Sequence, residues 1–148
     1  MSKRKKIIFG VLFLVFSLFI LSSEAAASWG KEITLKKANP EIEAKGTVYI
    51  RFAGFVPSDR FIEIDVFHLK PGGVYSVWIV DSWSGKREAL GIVGENYFKA
   101  DAAGFGHFAD HTTEYILGWN MLEVAYHPDG DPSNTGDMKV VLKARLYQ

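Results

Sequence analysis

The chain of 148 residues contains no cysteine. That absence excludes disulfide staples, blue-copper and iron–sulfur centres and a thiol nucleophile. It also excludes lipid attachment of the bacterial lipoprotein kind, which needs a cysteine at the cleavage site. No Gly-x-Ser-x-Gly elbow is present, so the most readable serine-hydrolase signature is missing. Gly85-Lys86 lacks the upstream glycine of a phosphate loop, and Gly104-Phe105-Gly106 lacks the third glycine and the following helix of a dinucleotide motif. No long run with a 3.6-residue period occurs. A basic stripe is missing too. Residues 1–27 carry four basic side chains (Lys3, Arg4, Lys5, Lys6) and one acid (Glu24) of the 17 and 17 in the chain. The remainder holds 13 basic and 16 acidic groups, a net of −3. A mildly acidic domain is a poor candidate for nucleic acid or for electrostatic adhesion to an anionic membrane.

What is present begins with the leader. Lys3-Arg4-Lys5-Lys6 precedes an uncharged apolar run, Ile7 to Leu21, and then Ala25-Ala26-Ala27. This is the layout of a secretory signal, with a basic region, an apolar region and a small-residue cleavage site. The run is shorter than the roughly 20 apolar residues a spanning helix uses. The expectation is therefore a signal peptide over 1–27 and a single domain over 28–148. The rival reading is an uncleaved anchor. In both, the basic residues stay on the cytoplasmic side and the domain is exported, to the periplasm, the cell surface or the medium. The 121 residues after the leader suffice for one core. Aromatic residues, 14% of the chain, supply large groups to fill it.

The mature part alternates with period 2. Strands are expected at Glu32–Lys37, Thr47–Phe52, Phe61–Leu69, Val74–Val80, Ala89–Val93, Tyr97–Ala100, Phe105–Ala109, Met121–Tyr126 and Met138–Tyr147. Val74–Val80 is apolar on both faces and reads as a central strand. Tyr97–Ala100 and Phe105–Ala109 flank Asp101-Ala102-Ala103-Gly104 and read as a hairpin. In the last strand Val140, Leu142, Ala144 and Leu146 are expected to face in and Val141 out. Residues 111–118 are a candidate helical turn, and 38–46 a flexible stretch. Short strands at regular spacing predict an all-β, immunoglobulin-like antiparallel β-sandwich of about seven to nine strands.

A succession in the second half adds to this. Pro71-Gly72-Gly73 leads into a Tyr75-x-x-Trp78 strand; Leu90-Gly91 follows, then Asp101-x-x-Gly104 within Phe98–Phe108. Last comes the long turn from His127 to Met138. Residues 65–145 resemble the extracytoplasmic β-sandwich domain of the anti-sigma-K factor family. His127-Pro128 stands where that family has Glu-Pro, and Asn134-Thr135-Gly136 where it has Pro-Thr-Gly. The resemblance implies a β-sandwich fold and export, and brings no catalytic residues with it.

Two stretches carry metal-ligand chemistry. His107, Asp110, His111 and Glu114 cluster in one, and His127, Asp129 and Asp131 in the other. Imidazoles and carboxylates are ligands for Zn²⁺ or Cu²⁺, and alternate aspartates resemble the start of a Ca²⁺ loop. The simpler expectation is a solvated strand end for the first and an ordinary long turn for the second. His68, in line with Ile62, Ile64 and Val66, reads as a half-buried histidine bonded at a strand end. Glu63 and Asp65, with Arg51 nearby, read as a solvated cross-strand surface. Trp78 reads as core. Trp83, in a polar loop, is expected to cover an end of the sandwich, or else to dock a partner or a sugar ring. The expectation for function is an exported, non-enzymatic binding or cell-envelope interaction module without a cofactor. Its partner is a protein or envelope component, or further copies joined at edge strands. The contact surface would be two loops together: Trp83, Ser84 and Lys86 with Asp129 and Asn134. The alternative is a periplasmic metal-binding protein using His107, His111, His127, Asp129 and Asp131. A secreted hydrolase would need a Ser–His pair or paired carboxylates in a pocket, and no such constellation is legible.

Overall fold

Strands form where β-branched and aromatic residues alternate with polar ones, because one face of each strand can then be buried while the other meets water. A computed structural model describes residues 30–52, 60–91, 95–112 and 118–146. The leader, Trp29, Ile92–Val93, residues 113–117 and Tyr147 lie outside the described residues. Among those described are nine strands: β1 (Gly30–Lys37), β2 (Lys45–Phe52), β3 (Arg60–Phe67), β4 (Val74–Val80), β5 (Arg87–Ala89), β6 (Tyr97–Lys99), β7 (Gly106–Thr112), β8 (Met121–His127) and β9 (Lys139–Arg145).

All pairings are antiparallel, and the strands form one curled sheet in the order β5-β4-β8-β9-β1-β2-β3-β7, with β6 also on β4. The curl makes two faces. One holds β1, β2, β3 and β7, the other β9, β8, β4 and the short β5 and β6. β1 belongs to both: Gly30–Leu35 pair with β2, whereas Lys36 and Lys37 pair with β9. The chain crosses between faces after β3, β6 and β7. With β2, β3 and β7 opposite β4, β8 and β9, this is the crossing pattern of an immunoglobulin-like sandwich.

Val48, Ile62, Ile64, Val66, Val77, Ile79, Leu122, Val124 and Leu142 are fully buried between the faces. β4 is central, with β8 along one edge and β6 then β5 along the other. Four expectations are corrected. β6 and β7 are not a hairpin: β6 pairs with β4 and β7 with β3, so the turn between them carries the chain across the sandwich. In β9 the register skips Val141, with Val124 opposite Leu142 but Ala125 opposite Val140. This bulge turns Val141 inward, and it is buried. Trp78 lies on the outward side of β4 and is half-buried rather than core. The stretch after β1 folds against the core through buried Ala44 and half-buried Ile42, and Asn39 Oδ1 accepts from the Glu41 N–H at 3.0 Å.

The crossing turn is locked onto the end of β3. The Leu69 N–H donates to the Gly104 carbonyl at 2.9 Å, and Gly104 has φ +77°. A Cβ there would stand 2.5 Å from the Leu69 carbonyl oxygen, which is backbone and cannot yield. Gly85 has a similar φ of +74° with open space around it. Gly85→Ala therefore carries only the left-handed penalty of about 1–2 kcal/mol, whereas Gly104→Ala adds a backbone clash. Urea denaturation of the two variants should show a clearly larger loss for Gly104→Ala; equal losses would mean that the turn is not held against Leu69.

Candidate functional site

The chemistry-bearing side chains fall into three places, set by strand parity and by the antiparallel pairing of β4 with β8.

The first is the loop from Asp81 to Lys86. The Asp81 N–H donates to the Lys86 carbonyl at 2.9 Å and the Gly85 N–H to the Asp81 carbonyl at 2.8 Å. The Asp81 carboxylate accepts from the Trp83 N–H at 3.0 Å and from the Ser84 hydroxyl. These bonds hold the Asp81 carboxyl below its ordinary range, the Ser84 hydroxyl first among them. Asn120 clasps the loop from β8's side: its Oδ1 accepts from the Ser82 N–H and its Nδ2 donates to Ser82 Oγ, both at 2.9 Å. Lys86 reaches Glu88 at 2.6 Å and lies 5.0 Å from the centre of the buried Trp119 ring. In this bonded frame Trp83 is 91% exposed. It covers no end of the sandwich, which corrects the simpler expectation. Trp119 fills that end instead.

The second place is the turn after β8. Because Val74 pairs with His127 and Val80 with Met121, this turn and the Trp83 loop lie at opposite ends of β4, about 20 Å apart. The single contact surface expected from both loops is therefore divided: Trp83, Ser84 and Lys86 lie at one end, Asp129 and Asn134 at the other. The aspartates here are turn-formers. Asp129 accepts from the Asp131 N–H at 3.1 Å and from Asn134 Nδ2 at 2.7 Å. Asp131 accepts from the Ser133 N–H at 2.9 Å and the Ser133 hydroxyl at 2.6 Å. The Asp131 N–H holds the Asp129 carboxyl below the usual range, and the Ser133 hydroxyl does the same for Asp131.

His127 is not a loop ligand, being only 1% exposed. Its Nδ1 lies 3.1 Å from the Asn134 carbonyl and its Nε2 2.6 Å from Ser76 Oγ, which also accepts from Trp78 Nε1–H at 2.6 Å. A carbonyl only accepts, so Nδ1 carries a proton. With the ring neutral, Nε2 then accepts from the Ser76 hydroxyl. The result is a directed chain from indole to hydroxyl to imidazole to backbone. It has the connectivity of a Ser–His dyad, and 51 residues separate its members in the chain. But Ser76 is fully buried and its oxygen already takes the indole proton, so the chain stitches the outer side of β4 to β8.

The third place is the outward side of β3 and β7. Asp65 is the register partner of His107, and His107 Nδ1 lies 2.7 Å from Asp65 Oδ1. Glu63 is two residues along and bonds Arg51 at 3.0 Å. One ligand atom from each of Glu63, Asp65 and His107 lies within 4.8 Å of the others, the one such group among the described residues. His111 shares that side of β7 but is four residues on, about 13 Å along the strand. His127, Asp129 and Asp131 belong to the other face. The structure thus brings His107 to two carboxylates read from sequence as surface pairing, and separates it from the other candidate ligands. The cue in sequence is shared parity on two strands, which says nothing until their pairing is known.

No protein-family model matches the chain, and no curated protein sequence matches it.

The buried relay generates a specific expectation. Ser76→Ala strands the buried His127 Nε2, at about 1–3 kcal/mol for a buried group left unpaired, and also removes the acceptor of the half-buried Trp78 indole N–H. The midpoint of urea unfolding should fall accordingly. A midpoint unmoved from that of the parent would show that Ser76 does not join them.

Proposed function

We propose that this chain is an exported, non-enzymatic binding module of the cell envelope, and that the Asp81–Lys86 loop is its contact surface. The observation that carries the reading is Trp83, a fully presented indole on a loop whose backbone is fastened by Asp81, Lys86 and Asn120. Exposing so large an apolar ring to water is unfavourable by itself. Interfaces are dominated by such aromatic anchors, and a loop ordered beforehand loses little entropy on binding. The basic–apolar–small layout of residues 1–27 supports export, as does the likeness of residues 65–145 to an extracytoplasmic sandwich domain. The Ser76–His127 pair is sealed from solvent, so it offers no hydrolytic centre, which supports a non-enzymatic role.

The test is a photo-crosslinking residue placed at Trp83, in cells expressing the full chain, with one at exposed Lys99 as control. A discrete adduct at position 83 and none at 99 is expected. Trp83→Ala should abolish binding to the captured partner while shifting stability by no more than about 0.5 kcal/mol, as for an exposed side chain. No adduct at position 83 would overturn the reading.

A second reading, metal binding, has one observation in its favour, the convergence of Glu63, Asp65 and His107. The Arg51 guanidinium on Glu63 works against it, since a cation must compete with that charge. If the reading holds, Zn²⁺ or Cu²⁺ raises the melting temperature of the protein and His107→Ala removes the rise. A shift that survives His107→Ala places the ion elsewhere.

A further inference from the structure

At the end of the sandwich opposite Trp83, between the end of β3, the stretch after β1 and the start of β9, lies an open cavity of about 360 Å³. This is within the size range of small-molecule sites. Its rim carries His68, Lys70 and Lys139 and a single carboxylate, Glu41. In a domain of net negative charge the rim gathers positive groups.

Lys70 is positioned within it. Its Nζ donates to the Tyr126 hydroxyl at 3.0 Å and lies 5.5 Å from the centre of that ring. The Lys70 backbone N–H donates to the Tyr75 hydroxyl at 2.9 Å. The bond to Tyr126 raises the Lys70 pKa, so the ammonium stays charged. One of its three donor hydrogens is engaged by Tyr126, which leaves two for a ligand.

His68 stands at the mouth with φ 59°, the one non-glycine residue at positive φ among the described residues. A left-handed backbone is unfavourable for a non-glycine residue, and such residues concentrate at ligand sites. It also corrects the expectation of a half-buried histidine continuing the apolar row of β3: the reversal at position 68 swings the side chain out, and it is exposed. The cavity is also lined by Leu69 and Val141, the latter turned inward by the bulge in β9.

The geometry points to a second binding site here, for a small ring-bearing anion such as a carboxylated or phosphorylated monosaccharide. The anionic group meets Lys70, Lys139 and His68, and the ring lies against the half-buried Tyr126 and Ile42. Apolar side chains and aromatic rings take the face of a ring, and charged donors fix the anion's place. The site is independent of the Trp83 surface and survives if that reading fails.

The test uses the full chain in mild detergent, titrated calorimetrically with glucuronate, glucose 6-phosphate, glucose and inorganic phosphate. Glucuronate or glucose 6-phosphate should bind at least about tenfold more tightly than glucose, the worth of one charge-assisted hydrogen bond. Whichever of the two binds more tightly identifies the anionic group. Lys70→Met should weaken that binding by about tenfold. Glu41→Gln should tighten it, a gain that misfolding cannot mimic. Inorganic phosphate as tight as glucose 6-phosphate would mean that the ring contributes nothing and would overturn the proposal. So would equal binding of glucose and both anions, no binding of either anion at millimolar concentration, or affinities unchanged in both variants.

Discussion

The pairing of β1 with two different strands is the constraint on which the rest of this molecule depends. Its first six residues hydrogen-bond to β2 and its last two to β9, so one strand carries the sheet around the bend between the faces. A sheet that turns in this way can bury both inner surfaces against each other, and Leu35 of β1 enters the same core as Val48, Ile64, Val124 and Leu142. Without that shared strand the two meanders would be separate half-sheets with exposed apolar faces. Backbone bonding in β1 therefore decides where side-chain burial happens, and burial supplies the stabilisation.

With the sheet curled, each end of the sandwich becomes a distinct chemical surface. At the Trp83 end, Asn120 and Asp81 use ordinary hydrogen bonds to present an apolar ring to water. At the other end, the β9 bulge, the reversed backbone of His68 and the tyrosine-bound Lys70 shape a positively charged hollow. Antiparallel pairing of β4 and β8 forces the separation, because consecutive loops of antiparallel strands emerge at opposite ends. Under the proposed binding role, the two ends are separate surfaces that do not compete for a ligand.

The outer surfaces differ from each other as much as the ends do. On β3 and β7, Glu63, Asp65 and His107 remain in contact with solvent and bond across strands. On β4 and β8, the polar pair Ser76 and His127 is sealed, and each donor has a single acceptor. The same residue types thus serve opposite ends. An exposed imidazole beside carboxylates stays open to solvent, whereas a buried one with both nitrogens bonded is a rivet.

Much of the fold was legible in the residues. Alternation located most of the strands, and Val74–Val80, apolar on both sides, announced its central place. The row Ile62, Ile64, Val66 pointed inward as expected, until His68 broke it by a change of backbone hand that no periodicity encodes. Val141 shows the same limit: one residue of bulge reverses which neighbour is buried. The exposed Trp83 had two readings because hydrophobicity alone does not say whether Trp119 has already filled the end. Ser76 with His127, and His107 with Asp65, stand 51 and 42 positions apart. Their meeting requires the strand order, and strand order follows from how the whole core closes. Local spacing and side-chain solubility were enough to place most strands, most of their faces and a basic–apolar leader. Which strands pair, which histidine is sealed and which cavity is charged depend on contacts between residues far apart in the chain, and follow from the closed fold alone.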